Sequence, residues 1–222
     1  MRADRPAPEL WAWPIMPLDA MGQLQVRPAG WELTLGPIGD YGRPRWRPSP
    51  PRGPERGRLV RSVLLASASL APYVVLPWAV RSQADLERLL PLLGEGGRPA
   101  ASLVVPLVPV GYVVDSAREV RSAGYRLAAA GEPYLHRLAV DRLHMGSDDL
   151  VLLAPVPVKA QRPWLEEMAA LGRGRIPTVA RAVASRPLAA ELRAAGVSHG
   201  TGTVLGRPLR TRLGAAGRRE EG

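Results

Sequence analysis

Residues 196–209, reading GVSHGTGTVLGRPL, leave few folds open to this chain. Pro187 at a first-turn position predicts a helix over 188–195, and Gly196 ends it. A loop, an apolar run with β-branched residues and the closing Gly206-Arg207-Pro208-Leu209 then read as loop, strand and turn. Residues 115–144 repeat that grammar. Ser116 caps a predicted helix whose Val120 and Ala123 face inward, Gly124 stops it, and residues 125–130 follow as a strand. The segment 134–138 leads into 140–145, which reads as another short strand. Strands alternating with helices imply parallel βαβ units, so the chain is α/β.

The earlier part is consistent with that reading. Residues 1–13 are Pro-rich without a period and predict a loose arm. Residues 14–19, 23–26 and 30–37 read as a β-hairpin turning near 20–22. Residues 36–57 are rich in Gly, Pro and Arg and cannot bury a continuous face, which predicts a loop. Helices are predicted over 59–71, where Pro72 stops the pattern, over 83–93 and over 164–171. Strands are predicted over 73–76, 102–110, 151–158 and 176–183. Pro106 and Pro109 make 102–110 a bulged or terminal strand. Residues 210–222 read as a polar tail, which leaves one domain over 14–209.

With 222 residues the chain can build one substantial core but not two comfortable ones. It has no cysteine, which fits a reducing compartment. No apolar run reaches membrane-spanning length and no signal-peptide core follows Met1, so a soluble cytoplasmic protein without a membrane role is expected. The net charge is +10, and Lys159 is the only lysine among 30 basic residues. A GC-rich coding bias accounts for arginine in excess beside abundant Ala, Gly and Pro; guanidinium groups also suit phosphate, and that reading stays open.

The segments AGYRLA, PYLHRLAVDRLHMGSDDL and RIPTVARAVASRPLAAELRAAGVSHGTGTVLGRPL together resemble the second half of an EAL domain, the cyclic di-GMP phosphodiesterase fold. The family pattern runs from a GYRLALDDFG-like strand through YLHRLPVDRLKID and AEGVET to a closing QGYLFGRPL. Order, spacing and flanking apolar residues match, most clearly over 113–209. The opening hairpin resembles the family's QPIVDL and GYEALLRG, with the signature tripeptide on Glu32-Leu33-Thr34. The resemblance implies a (β/α) barrel of EAL type, trimmed in its N-terminal half, with its ligand site at the carboxyl ends of the strands.

It also implies a chemistry that can be checked position by position. The family holds two hard cations on carboxylates and an Asn, with a Lys near the attacking water. Glu32 matches the signature Glu. The Asn strand falls on Tyr73-Val74-Val75-Leu76-Pro77 and the next Glu strand on Val104-Val105-Pro106-Leu107, neither of which carries the ligand. The paired aspartates fall on Ala129-Ala130, the Lys on His144, the AEGVET ligands on Arg181 and Ala184, and the last Gln on Thr201. Arg45-Trp46 lies too far downstream to be the family's Arg-Trp pair. Asp148 and Asp149 beside His144 read as caps for the following segment rather than metal ligands.

Several expectations follow. The chain is expected to be no enzyme, to hold no metal or cofactor, and to be a degenerate EAL domain acting as a regulatory or protein-interaction module in bacterial cyclic di-GMP-type signalling. Its protein partner is unknown, and the 36–57 loop is the candidate contact. Glu32, His144, Arg181, Thr201 and Arg207 are the expected ligand-binding positions of the old active site. One alternative is a receptor that binds cyclic di-GMP without cleaving it, with arginines in place of metal ions. A basic nucleic-acid-binding protein is a weaker alternative resting on charge alone, and a homodimer is left open. On the barrel reading, Arg181 and Thr201 should converge near Glu32.

Overall fold

The structure, a computed structural model, describes residues 9–20, 26–36, 50–53, 56–95, 99–108, 113–131, 143–154, 161–171 and 176–212. Strand β1 (Glu9–Pro17) runs antiparallel to β2 (Gly30–Leu35). From β2 the chain steps through parallel neighbours β3 (Val74–Val75), β4 (Leu103–Leu107), β5 (Arg126–Gly131), β6 (Leu150–Leu153), β7 (Thr178–Ala180) and β8 (His199–Gly200). Strand β8 then pairs with the far edge of β1, and the eight strands close into a barrel. The expected (β/α) barrel is therefore what the chain builds.

Alternation along the strands creates two layers. Ile15, Val75, Val104, Ala128, Ala130, Leu150, Leu152 and Val179 fill the barrel interior. Their neighbours Val74, Leu103, Val105, Leu127 and Ala129 point outward, into a core shared with helices α1 (Arg56–Ala66), α2 (Gln83–Gly94) and α3 (Val113–Ser122). A second outer cluster, with Leu153, Val183, Ala189 and Leu192, lies under α4 (Gln161–Leu171) and α5 (Arg186–Ala194). Strands buried on both faces read as unbroken apolar runs such as LVLL, because helices cover the outside of a parallel barrel.

Local chemistry sets the helix ends. Ser185 caps α5 by accepting from the Leu188 amide at 3.3 Å, and Pro187 sits in its first turn. Ser82 caps α2 in the same way, 3.2 Å from the Asp85 amide. Pro106 is accepted inside β4 because the backbone bonds on both sides of its missing N–H are made. Val80 donates to the Pro106 carbonyl at 2.8 Å, and the Val108 amide bonds back to Val80 at 2.9 Å. On the other side of the missing N–H the Leu76 amide bonds the Val104 carbonyl at 3.0 Å, so one ladder bond is lost and those flanking it are kept.

Four expectations are corrected. The loose arm is shorter than 1–13, since β1 starts at Glu9, and the tail beyond 209 opens as a strand, β9 (Leu209–Arg212), paired with Glu9–Ala12 of β1. Each half gains a ladder from the other. Residues 203–205 form a turn rather than a strand, closed by the Leu205 and Gly206 amides on the Gly202 carbonyl at 3.0 and 3.2 Å. Finally, residues 143–149 turn instead of forming part of a strand over 140–145. His144 has φ 47°, which no strand residue adopts, and the apolar run that enters the barrel is Leu150–Leu153. Of the other expectations, residues 1–8, 21–22, 37–49, 134–142 and 213–222 lie outside the described residues, and with them most of the 36–57 loop.

Candidate functional site at the mouth of the barrel

Arg181 follows the last residue of β7 and Thr201 the last residue of β8, so both stand at the carboxyl ends of parallel strands. Glu32 lies on β2 in register with Val75, which ends β3. All three side chains meet. Arg181 Nε donates to Glu32 Oε1 at 2.5 Å, and Thr201 Oγ1 donates to Glu32 Oε2 at 2.8 Å. Glu32 and Thr201 are wholly buried, and the Arg181 side chain keeps 11% of its exposure. A buried carboxylate needs such company, because an unpaired charge cannot be held away from water.

The backbone holds these groups in place. The Thr201 amide bonds the Ala180 carbonyl and the Val183 amide bonds the Thr201 carbonyl, each at 2.8 Å, so the loops after β7 and β8 are stitched on both sides of Arg181. Gly202 presses on that stitch. A Cβ there would lie 2.3 Å from the Val183 carbonyl oxygen, so the Gly200-Thr201-Gly202 run serves close approach rather than dinucleotide binding.

Three side chains missed in the sequence join the mouth. Leu10 and Ala12 belong to the helix-side core, so Trp11 and Trp13 on the same strand turn the other way, and Trp13 is in register with Glu32. The Arg210 guanidinium stands 5.6 Å from the centre of the Trp11 ring and pairs with Glu9. The period-two alternation in ELWAW was the available signal.

The remaining predicted positions do not converge there. Arg207 is exposed on the loop ahead of β9. His144 precedes β6, at the opposite end of the barrel from Glu32. The reason is Asp149, which ties the turn to the start of β5: its Oδ2 accepts from Arg121 Nη2 at 2.7 Å and the Gly146 amide at 2.9 Å, and its Oδ1 from the Leu127 amide at 3.2 Å. Asp149 thus anchors the preceding turn and the start of β5 rather than capping the segment that follows, as the sequence suggested. The turn lines a cleft of about 680 Å³ with Arg121, Tyr125, Arg126 and His144. Nearby, Arg126 packs 4.6 Å from the centre of the Tyr73 ring, and burial pushes the Tyr73 hydroxyl up to about 12 against the opposing charge of Arg126. His199, on β8, sits 2.9 Å from Ser198 Oγ; burial lowers its pKa and the Asp19 carboxylate partly restores it.

The cations implied by the EAL resemblance do not fit the described residues. Both oxygens of Glu32 accept hydrogen bonds from side chains of this chain, and the neighbouring inward positions Val75, Val104 and Ala130 offer no oxygen or nitrogen. Among the described residues no three His, Cys, Asp or Glu side chains gather to hold a metal.

Eight strands closed with β1 antiparallel, and polar groups at the carboxyl mouth, define a barrel of the EAL-domain fold. Solved structures of that class superpose on the chain. An EAL domain protein from Listeria monocytogenes EGD-e matches at TM-score 0.62 and 14% identity, covering 91% of this chain and 89% of that one. Klebsiella pneumoniae BlrP1, solved as a manganese and cyclic di-GMP complex, matches at TM-score 0.61 and 12% identity over 94% of this chain. The chain spans 57% of the length of BlrP1. The PaMucR phosphodiesterase, solved with cyclic di-GMP, matches at TM-score 0.58 and 12% identity, covering 91% and 97% of the two chains. No family profile and no curated protein sequence matches the chain.

These likenesses correct the expectation that the chain is no enzyme, because the fold it shares is that of enzymes, a named phosphodiesterase among them. That expectation required each catalytic position to be filled by the residue aligned with it. The structure sets His144 in the turn before β6, where the alignment had it in a strand.

Proposed function

We propose that this chain is a regulatory domain of cyclic di-GMP-type signalling, which takes a cyclic dinucleotide at the mouth of its barrel and acts on a protein partner in the cytoplasm. The observation that carries the reading is the meeting of Arg181, Glu32 and Thr201 at the carboxyl ends of the strands, where barrels of this architecture hold their ligands. A guanidinium fixed by a carboxylate presents its charge in one orientation, and phosphodiester oxygens are well matched to it. Trp11 and Arg210 add a flat aromatic face and a second cation beside the same mouth, which suits a planar base joined to a phosphate. BlrP1 and PaMucR, which share the fold, were solved with cyclic di-GMP, and that supports the ligand class. Fold by itself does not assign a ligand, so the weight rests on the mouth.

Calorimetric titration of cyclic di-GMP into the purified protein, with and without magnesium, tests the reading, with Arg181→Ala alongside. Saturable binding lost in the variant supports it. No heat at high micromolar ligand overturns the nucleotide part and leaves contact with a partner protein to be tested by capture. No described helix is long and apolar enough to cross a membrane.

A further inference from the structure

We infer that the guanidinium of Arg181 is the resident cation of this mouth, occupying Glu32 in the role a divalent ion would otherwise take, so that an anionic ligand is met there without a metal. The ligand part rests on the cyclic-dinucleotide reading above; the cation part stands by itself.

Three observations lead to it. First, Glu32 is wholly buried, and its two oxygens receive Arg181 Nε at 2.5 Å and Thr201 Oγ1 at 2.8 Å, so the carboxylate already has a charge partner and a neutral donor. A divalent ion needs several oxygen ligands, and one on Glu32 would share that oxygen with a guanidinium and be repelled by it. Second, the inward residues beside Glu32 on the next two strands are Val75 and Val104, which supply no further ligand. Third, Arg181 is held where it is. It lies between Ala180, whose carbonyl accepts from Thr201, and Ala182, at φ 57°, while the Val183 amide returns to the Thr201 carbonyl and Gly202 leaves that stitch no slack. The same two loops that carry Arg181 and Thr201 therefore fix both partners of Glu32. A tethered cation differs from a bound metal in two ways: chelators cannot remove it, and its charge is single.

The test uses manganese(II) alone, titrated into the full chain and followed by electron paramagnetic resonance, for the wild type, Glu32→Gln, Arg181→Glu and the double variant Glu32→Gln/Arg181→Glu. The wild type and Glu32→Gln are expected to give the same manganese isotherm, and the wild-type melting temperature to be equal in manganese and in EDTA. Arg181→Glu, which puts a second carboxylate beside the first, is expected to gain one site about tenfold or more tighter than any in the wild type, lost again in the double variant. A one-to-one manganese site in the wild type that Glu32→Gln removes overturns the inference, and that comparison decides even if Arg181→Glu does not fold. Cyclic di-GMP is then titrated in EDTA. Binding that requires added metal overturns the ligand part. No binding in either condition, with the manganese result as expected, defeats the proposed function and leaves the tethered cation standing.

Discussion

Arg181 Nε and Glu32 Oε1 stand 2.5 Å apart, though 149 residues separate them along the chain. Strands β2 and β7 are not neighbours in the barrel, so the pair spans the mouth and bonds one side to the other. Removing one member of such a buried pair strands the other. Arg181→Ala is expected to cost about 3 kcal/mol in urea unfolding. The double variant Arg181→Ala/Glu32→Gln should cost less than the sum of the single changes, because the charge left behind is gone. Additive costs would show that the two groups do not interact in solution.

Ala182 has φ 57°, in the left-handed region that disfavours a side chain, at the position where the EAL pattern AEGVET has glycine. Ala182→Gly removes the steric cost of that conformation but gains unfolded-state freedom. The steric term is the larger at such a position, and a net gain of about 0.5–1 kcal/mol is expected from the denaturation midpoint. A loss of stability would mean that residue 182 is not left-handed in solution.

Asp149 accepts three hydrogen bonds, from Arg121 Nη2, the Gly146 amide and the Leu127 amide, and is almost wholly buried. Its neighbour Asp148 is exposed and contributes its backbone carbonyl to Arg126 Nε. Asp149→Ala should therefore destabilise by about 3 kcal/mol, while Asp148→Ala stays within about 0.5 kcal/mol. Equal effects would place the anchor elsewhere.

Tyr73 bears on the alkaline limit of stability. Burial raises its pKa from 10.0 to about 12, so the folded state favours the neutral phenol more than the unfolded chain does. The unfolded chain loses its proton first. Stability due to this group is thus complete below pH 10 and is lost as pH rises from 10 toward 12, by an amount on the order of 2–3 kcal/mol. Thermal melts at pH 9 and pH 11.5 should show a smaller alkaline loss in Tyr73→Phe than in the wild type. Parallel losses would mean that the hydroxyl is hydrated.

Much of the fold could be read from the string because it depends on near neighbours. Ser185 with Pro187, Gly124 as a helix stop, and the apolar runs at 103–107 and 150–153 each carry their reason within a few residues, and each forms an element close to where it was expected. Ser116, expected as a cap, instead lies inside α3 and donates its hydroxyl to Gln83 Oε1 at 2.8 Å, and Ala123, expected to face inward, is exposed. The convergence of Glu32, Arg181 and Thr201 was legible only through the EAL likeness, which supplies the barrel that joins their strands. Trp11, Trp13 and Arg210 were passed over because a proline-rich flank and a charged tail look unstructured until each is laid against the other.

His144 marks the limit of that kind of reading. Its neighbours in the string suit a strand, but residues 143–149 turn, held by Asp149, whose carboxylate has partners on α3 and β5, 28 and 22 residues upstream. Local periodicity and capping belong to the chain itself, since a residue's conformation is biased by the few residues beside it. Which carboxylate meets which guanidinium belongs to the closed barrel, since only closure brings β2 opposite β7 and makes burial of Glu32 depend on Arg181.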